Sequence, residues 1–173
     1  MSELLATPRL RLEPIAPVDA AQLCSLIAAA DLATWVPARG TSLALTVADL
    51  IAKSCASAAL TSAWRIARDG EACIGLAVLS PPSAEALTLR AIGWRSRELL
   101  ILLHPCHRGY GFATEAIAAL AAHAGRDGVT FALVAIAAPE NVRATALLVR
   151  CRFQMLGRIE AEHGPRIVYE LTV

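Results

Sequence analysis

The tightest constraint on the chain lies between Leu99 and Glu115, where an apolar run, a glycine-punctuated turn and a long helix follow one another. Leu99-Leu100-Ile101-Leu102-Leu103 reads as a buried strand. Arg108-Gly109-Tyr110-Gly111-Phe112-Ala113-Thr114-Glu115 follows, and a helix from about Phe112 to Ala124 places Ile117 and Leu120 on one face. Two glycines let the backbone turn sharply and aim several N–H groups at one point. The helix behind them adds its first-turn N–H groups and the positive end of its dipole. A turn of this kind binds a phosphate or pyrophosphate without needing a charged side chain.

The phosphate ligand is not a dinucleotide or a nucleoside triphosphate by motif. Gly109-x-Gly111-x-x-Thr114 lacks the third glycine of the dinucleotide fingerprint, and the surrounding pattern lacks alternating parallel strands and helices. A P-loop needs Gly-Lys-Ser/Thr, which is missing here. The same points count against a nicotinamide- or flavin-dependent oxidoreductase.

Composition sets the frame for that turn. A length of 173 residues suits one domain spanning 1–173. Hydrophobic residues reach 56% and charged residues only 18%, much of the excess being alanine, which is compatible with a monomer or a homodimer. A net charge of +1 and the lack of a basic stripe argue against a nucleic-acid partner. The longest apolar runs are about half of the roughly 20 residues that span a bilayer. Met1-Ser2-Glu3-Leu4-Leu5 shows no signal-peptide pattern, so a cytoplasmic location and no membrane partner are expected. The cysteines Cys24, Cys55, Cys73, Cys106 and Cys151 are scattered without a CxxC pair and read as small hydrophobes.

Read along its length, the chain predicts an α/β (α+β) fold with a mixed, largely antiparallel twisted sheet flanked by helices. Leu10-Arg11-Leu12-Glu13 alternates as a first strand. Asp19 with Gln22 predicts a capping box opening a helix to about Ala30, and Thr46 with Asp49 another to about Leu60. Residues 64–68 and 73–79 predict a hairpin around Asp69-Gly70, and Pro81-Pro82 ends its second strand. Two apolar runs then follow, 86–94 and 99–103, separated by Arg95-Ser96-Arg97-Glu98. Either 86–103 is one strand with a bulge near Ser96, or 81–90 is largely loop. A strand over 129–137, a helix over 139–151 and two strands around His163-Gly164-Pro165 complete the reading.

The run from Leu103 through Arg108, Gly109, Tyr110, Gly111, Phe112, Ala113, Thr114 and Glu115 to Ala116 resembles the acetyl-CoA motif of the GNAT superfamily. That motif is Gln/Arg-x-x-Gly-x-Gly/Ala, met by Arg108, Gly111 and Ala113. Leu103-His104-Pro105 resembles the end of the family's fourth strand, and Asn141 followed by Phe153 is similar to its Asn-to-Gly-Phe segment. Thr7-Pro8-Arg9-Leu10-Arg11-Leu12 resembles the start of the ribosomal-protein N-terminal acetyltransferase branch. The resemblance covers Leu99–Phe153 closely and Ala38–Ser62 hardly at all. Three positions depart from the family pattern: Arg152 replaces the glycine before the phenylalanine, Ala144 a small hydroxyl residue, and Leu148 a tyrosine general acid.

The resemblance implies a GNAT-like acyl-CoA N-acyltransferase fold and an N-acetyltransferase moving acetyl from acetyl-CoA directly to a primary amine in a ternary complex. The amine belongs to a peptide N-terminus or a small molecule. Arg108, Gly109, Tyr110, Gly111, Phe112, Ala113 and Thr114 would hold the pyrophosphate through backbone amides. Asn141 would contact the pantetheine arm or a structural water, and the Leu103 backbone amide would polarise the thioester carbonyl. A catalytically silent CoA-binding regulatory module is the alternative that Leu148, Ala144 and Arg152 keep open.

An α-amine, with a reference pKa of about 7.7–8.0, needs little help to lose its proton, and the candidate base is Glu98, acting directly or through water. Tyr110 reads as a cofactor contact rather than a general acid, and Trp35 as the tryptophan best placed for substrate. Trp64 and Trp94 read as core. His104, Cys106 and His107 lack a fourth partner at metal-ligand spacing, so no metal is expected. The segments 38–62 and 158–166 should flank the amine side, and neither carries an acidic cluster suited to a polyamine.

Overall fold

A computed structural model describes residues 3–30, 43–56, 60–68, 73–84, 86–89, 92–93, 95–126, 128–162 and 164–173, with the backbone alone for 43–45. The Asp69-Gly70 turn, Trp35, Trp94 and His163 lie outside the described residues.

The strands are β1 (Leu5–Ala6), β2 (Arg11–Pro14), β3 (Ser62–Ala67), β4 (Cys73–Ser80), β5 (Ser96–Leu103), β6 (Ala132–Ala137), β7 (Gln154–Ala161) and β8 (Gly164–Thr172). The helices are α1 (Ala20–Ala29), α2 (Leu43–Cys55), α3 (Phe112–Gly125) and α4 (Val142–Arg150). One sheet runs in the order β1-β2-β3-β4-β5-β6-β8-β7. All neighbours are antiparallel except β5 and β6, which are parallel. The largely antiparallel mixed sheet read from the sequence is therefore present.

Successive side chains on a strand face opposite sides, and each side has its own cover. Leu99 and Leu103 of β5 and Leu133, Ala135 and Ala137 of β6 pack with Phe112, Ile117 and Leu120 of α3 and Leu148 of α4. Leu76 and Val78 of β4 and Leu102 of β5 pack on the opposite side with Leu23 and Leu26 of α1 and Val47 and Ile51 of α2. Truncating a fully buried side chain such as Ile117 or Leu120 to alanine costs about 2–5 kcal/mol.

The two apolar runs on either side of Arg95–Glu98 are not both strands. Residues Ala86–Thr88 form a 3-10 turn, and β5 begins at Ser96, so the loop reading of 81–90 holds and the single bulged strand does not. The apolar residues of the first run serve as a cover: Ala86 and Ile92 pack on Val134, Ile159 and Val168 at the far end of the sheet. Arg97 and Glu98 belong to β5 because they pair with Leu133 and Val134 of β6, and Glu98 pairs with Ser80 of β4 as well. With one strand in place of two, β5 runs antiparallel to β4 and parallel to β6.

Helix starts also differ from the local signals. The carboxylate of Asp19 accepts from the Ala16 N–H at 2.8 Å and makes no cap bond to α1. Helix α2 already begins at Leu43, so Asp49 lies inside it, paired with Lys53 at 2.6 Å. Helix α4 starts three residues after Pro139, at Val142, where the Asn141 Oδ1 accepts from the Ala144 N–H at 3.1 Å. Trp64 is fully buried and its Nε1 donates to the Glu3 carbonyl at 2.8 Å, in keeping with its reading as core.

Candidate active site

Gly109 and Gly111 both adopt left-handed backbone, with φ of 86° and 82°, which L side chains take only under strain. Gly111 is the N-cap of α3, and the Glu115 N–H closes the first helical turn onto its carbonyl at 3.1 Å. The N–H groups of Phe112, Ala113 and Thr114 therefore stand at the open end of α3 without intrahelical acceptors. A Cβ on Gly109 would meet nothing within 4 Å, so the turn is open to a ligand. This is a donor set for phosphate oxygens, as the sequence implied. Phe112 is buried beneath it, and Tyr110, 64% exposed, stacks on the Phe112 ring with centroids 5.9 Å apart.

Arg108 has a different place from the one the motif implied. Its N–H donates to the Pro105 carbonyl at 3.2 Å within the turn Pro105–His107. Its guanidinium donates from Nε to the Leu103 carbonyl and from one Nη to the Ala30 carbonyl, both at 3.1 Å. Arg108 thus ties the strand end, the loop and the end of α1 together, and the amides facing the phosphate site start after it.

The end of β5 supplies the second element. The His104 N–H donates to the Ile74 carbonyl at 2.9 Å, so 74 and 104 form a hydrogen-bonded pair. Alternation along an antiparallel ladder makes Gly75 and Leu103 the non-hydrogen-bonded pair and turns the Leu103 N–H away from β4. The Ile101 N–H, two residues earlier, turns the same way. On that side the ladder to β6 covers Ser96–Glu98 and stops. The N–H groups of Ile101 and Leu103 therefore face a gap between two diverging strands. Gly75 fixes this arrangement from the other side, because a Cβ there would lie 2.6 Å from the Leu102 carbonyl and 2.6 Å from the Leu103 side chain.

Glu98 lies where that divergence begins and is half-buried. Its Oε2 accepts from the Ser83 N–H at 2.7 Å, closing the loop that follows β4. A strand rise of about 3.3 Å per residue places Glu98 roughly 10 Å from Ile101 and 17 Å from Leu103 along β5. Of the two amides, that of Ile101 is the nearer to Glu98 along the strand. A cleft of about 330 Å³ opens on the α1 side of the strand end, lined by Ala21, Gln22, Ser25, Leu26, Cys73 and His104.

The three departures from the family pattern have structural explanations. Arg152 keeps the glycine conformation, with φ of 65°. The Phe153 N–H donates to the Leu148 carbonyl and the Arg152 N–H to the Val149 carbonyl, both at 3.0 Å, which is the Schellman termination of α4. Leu148 and Phe153 are both buried in the core beside α3. The Ala144 side chain packs against the same core, and its N–H donates to Asn141 Oδ1, so Asn141 acts first as the N-cap of α4. Cys151 packs at the far end of α4 against Thr114; burial pushes its thiol up, more than the Thr114 hydrogen bond lowers it.

Residues outside the motif also hold the site. Glu115, in the first turn of α3, accepts at Oε1 from Thr7 Oγ1 at 2.6 Å and from the Arg9 N–H at 2.9 Å. Arg9 Nε donates to its Oε2 at 2.7 Å. Burial alone would raise the Glu115 carboxyl, but the bonds from Thr7 and Arg9 and the Arg9 charge bring it below its ordinary value. Arg9 also donates to the Tyr110 carbonyl at 3.0 Å and lies over the Phe112 ring, 4.9 Å from its centroid. Thr7 and Arg9 stood out in the sequence only through resemblance, because their partner is about a hundred residues away. Among the described residues no group of three or more His, Cys, Asp and Glu is placed to hold a metal ion, and no helix is long and apolar enough to cross a membrane.

The fold and this site can be set beside known proteins. No curated protein matches the sequence. Among solved structures, RimL, a ribosomal-protein α-N-acetyltransferase in complex with coenzyme A, superposes with a TM-score of 0.79 at 16% identity, over 99% of this chain and 98% of that one. RimJ of Mycobacterium smegmatis gives 0.77 at 21% identity, over 99% and 86%. Spermidine N-acetyltransferase of Vibrio cholerae, with CoA and spermine, gives 0.75 at 17% identity, over 96% of each chain. At such identities the likeness establishes the fold. The family profile described as acetyltransferase (GNAT) domain matches residues 9–154, most of the chain and all of the site just described except Thr7, and the chain belongs to that family.

Proposed function

We propose that this chain, an acetyl-CoA-dependent N-acetyltransferase by family, acetylates the α-amine of a peptide in a ternary complex, in the cytoplasm. The observation that carries the reading is the divergence of β5 from β6, which leaves the Ile101 and Leu103 N–H groups facing a gap at the end of the strand that leads into the amide-lined turn 109–114. Acetyl-CoA supplies an activated thioester. The turn would hold its pyrophosphate, and the diverging strands would admit its pantetheine arm between them.

The chain's own contribution to the transfer is then positioning and polarisation. An N–H aimed at the thioester oxygen stabilises the charge that develops there as the amine attacks. Ile101 is better placed for this than Leu103 when Glu98 is the base, because a reacting amine must lie near both. Glu98 would accept the amine proton through a water, its Oε2 being anchored by Ser83. A peptide α-amine suits this modest base, since it is already partly neutral near pH 8.

One observation supports the peptide over a polyamine. RimL, which shares the fold over nearly the full length, is a protein α-N-acetyltransferase. The silent-module alternative loses its basis, because Arg152, Ala144 and Leu148 are accounted for by the termination and packing of α4. All five cysteines are free, in keeping with a reducing compartment.

The test is calorimetry with acetyl-CoA on the wild type and on Gly111→Trp, followed by thiol release with short peptides and with spermidine. Micromolar binding lost in the variant, and turnover with peptides above spermidine, is the expected result. No binding by the wild type would refute the reading, and preference for spermidine would refute its substrate.

A further inference from the structure

We propose that Arg9 is a positioning residue for acetyl-CoA: it holds the Tyr110–Gly111 peptide so that the Gly111 N–H faces the pyrophosphate. The inference rests on the acetyl-CoA reading above and deepens it.

The argument starts from the peptide plane. In a trans peptide the C=O and the following N–H lie in one plane and point in opposite directions. Whatever fixes the Tyr110 carbonyl therefore fixes the Gly111 N–H on the other side. The peptide needs fixing, because the glycines on either side of Tyr110 adopt left-handed backbone, and glycine has the freest φ and ψ of any residue. Tyr110 is largely exposed, and its ring stacks on that of Phe112, which leaves the Tyr110 carbonyl to be held by another group.

Arg9 meets the Tyr110 carbonyl from behind at 3.0 Å. It would be a poor anchor if it were itself mobile. It is instead held at both ends: its backbone N–H and its Nε donate to the two oxygens of Glu115, at 2.9 and 2.7 Å, and a terminal nitrogen lies 2.7 Å from Oε2. Thr7 Oγ1 adds a third donor to the same carboxylate. Glu115 belongs to α3, the helix whose first-turn amides complete the phosphate site. One guanidinium thus fixes the loop's middle peptide relative to the helix, and its closest charged partner is the Glu115 carboxylate. A terminal nitrogen also lies 3.4 Å from where a Gly111 Cβ would stand, close behind the peptide it orients.

Lysine cannot reproduce this. An ammonium could keep the pairing with Glu115, but it lacks the planar fork that reaches the carboxylate and the carbonyl together. Arg9→Lys therefore separates the ion pair from the peptide clamp, and remains informative where Arg9→Met fails to fold.

The experiment measures acetyl-CoA affinity by calorimetry, and kcat/KM with acetyl-CoA and with acetyl-pantetheine, which has the same thioester and no pyrophosphate. Arg9→Lys and Arg9→Met should weaken acetyl-CoA binding about tenfold, the scale of one charge-assisted hydrogen bond, and leave transfer from acetyl-pantetheine unchanged. Arg11→Met, which removes an arginine paired with Glu13 on the same strand, should leave both unchanged. Equal losses with both donors, or full acetyl-CoA affinity in Arg9→Lys, would overturn the proposal. A wild type that binds no acetyl-CoA would instead overturn the reading beneath it.

Discussion

Replacing Arg152 with glycine should stabilise the protein without touching its chemistry. Arg152 occupies the position after α4 where the chain reverses, at φ of 65°, and its side chain is exposed. An L residue in that region carries a strain of about 1–2 kcal/mol from its Cβ against the neighbouring carbonyl, which glycine removes. Glycine also loses more backbone freedom on folding, about 0.5–1 kcal/mol. The difference leaves Arg152→Gly more stable by roughly 0.5–1 kcal/mol, a rise of about 1–4 °C in Tm for a chain of this size. The two closing hydrogen bonds and the Leu148–Phe153 packing remain as they are, so kcat and the acetyl-CoA Kd should not change. Thermal unfolding followed by circular dichroism reads the effect, with Arg152→Ala as the control that removes the charge and keeps the strain. A lower Tm in Arg152→Gly, or an equal rise in Arg152→Ala, would show that strain is not what the arginine contributes.

Other substitutions probe the strand, the base and the clamp. Gly75→Ala should cost about 1–3 kcal/mol in urea unfolding, because its Cβ meets the Leu102 carbonyl and the Leu103 side chain at 2.6 Å; unaltered stability would contradict the close approach of β4 and β5. Glu98→Gln should lower kcat/KM for peptides about a hundredfold near pH 7 and less at pH 9, where more of the amine is already neutral; a profile identical to wild type from pH 6 to 9 would remove Glu98 from the mechanism. Glu115→Gln should lower Tm at neutral pH. The Glu115 carboxyl is depressed in the folded state, so its stabilisation is complete above its ordinary value of 4.5 and fades as pH falls through the lower folded value. The Tm gap between wild type and Glu115→Gln should therefore close in acid, and a gap that widens there would reverse the assigned sign.

The turn and helix at 109–125 were legible in the sequence because their signals are local: two glycines for left-handed backbone, then apolar residues at helical spacing. The extent of β5 was not. Ser96, Arg97 and Glu98 are polar yet lie in a strand, all three paired with β6 and Glu98 with β4 as well, because they stand near its open end, where Glu98 accepts from the Ser83 N–H. The apolar run from Ala86 looked like a strand by composition, but Ala86, Leu89 and Ile92 pack onto β6, β8 and β7, and composition alone does not distinguish the two. Register was equally out of reach. That the Ile101 and Leu103 amides both turn toward the gap depends on where β4 pairs and where β6 stops pairing. The link from Thr7 and Arg9 to Glu115 spans more than a hundred residues and leaves no periodic trace.

Of the arginines around the phosphate turn, neither Arg108 nor Arg9 has the place that charge alone would assign to it. A basic residue at the start of such a motif invites the reading that it neutralises the phosphate. Here Arg108 donates to the carbonyls of Leu103 and Ala30, and Arg9 to the carbonyl of Tyr110. Each fixes a carbonyl, and through the planar peptide each fixes the N–H that follows: that of His104 toward Ile74, and that of Gly111 toward the open turn. Neutral amides aimed by buried or paired cations make a directional site, since their geometry is set before the ligand arrives. A guanidinium on a free side chain would supply charge and leave the ligand to order it. For a transfer that depends on placing a thioester beside a particular strand amide, a fixed pyrophosphate anchor is the more useful of the two. On the proposed function, Arg108 and Arg9 would act through the backbone they hold.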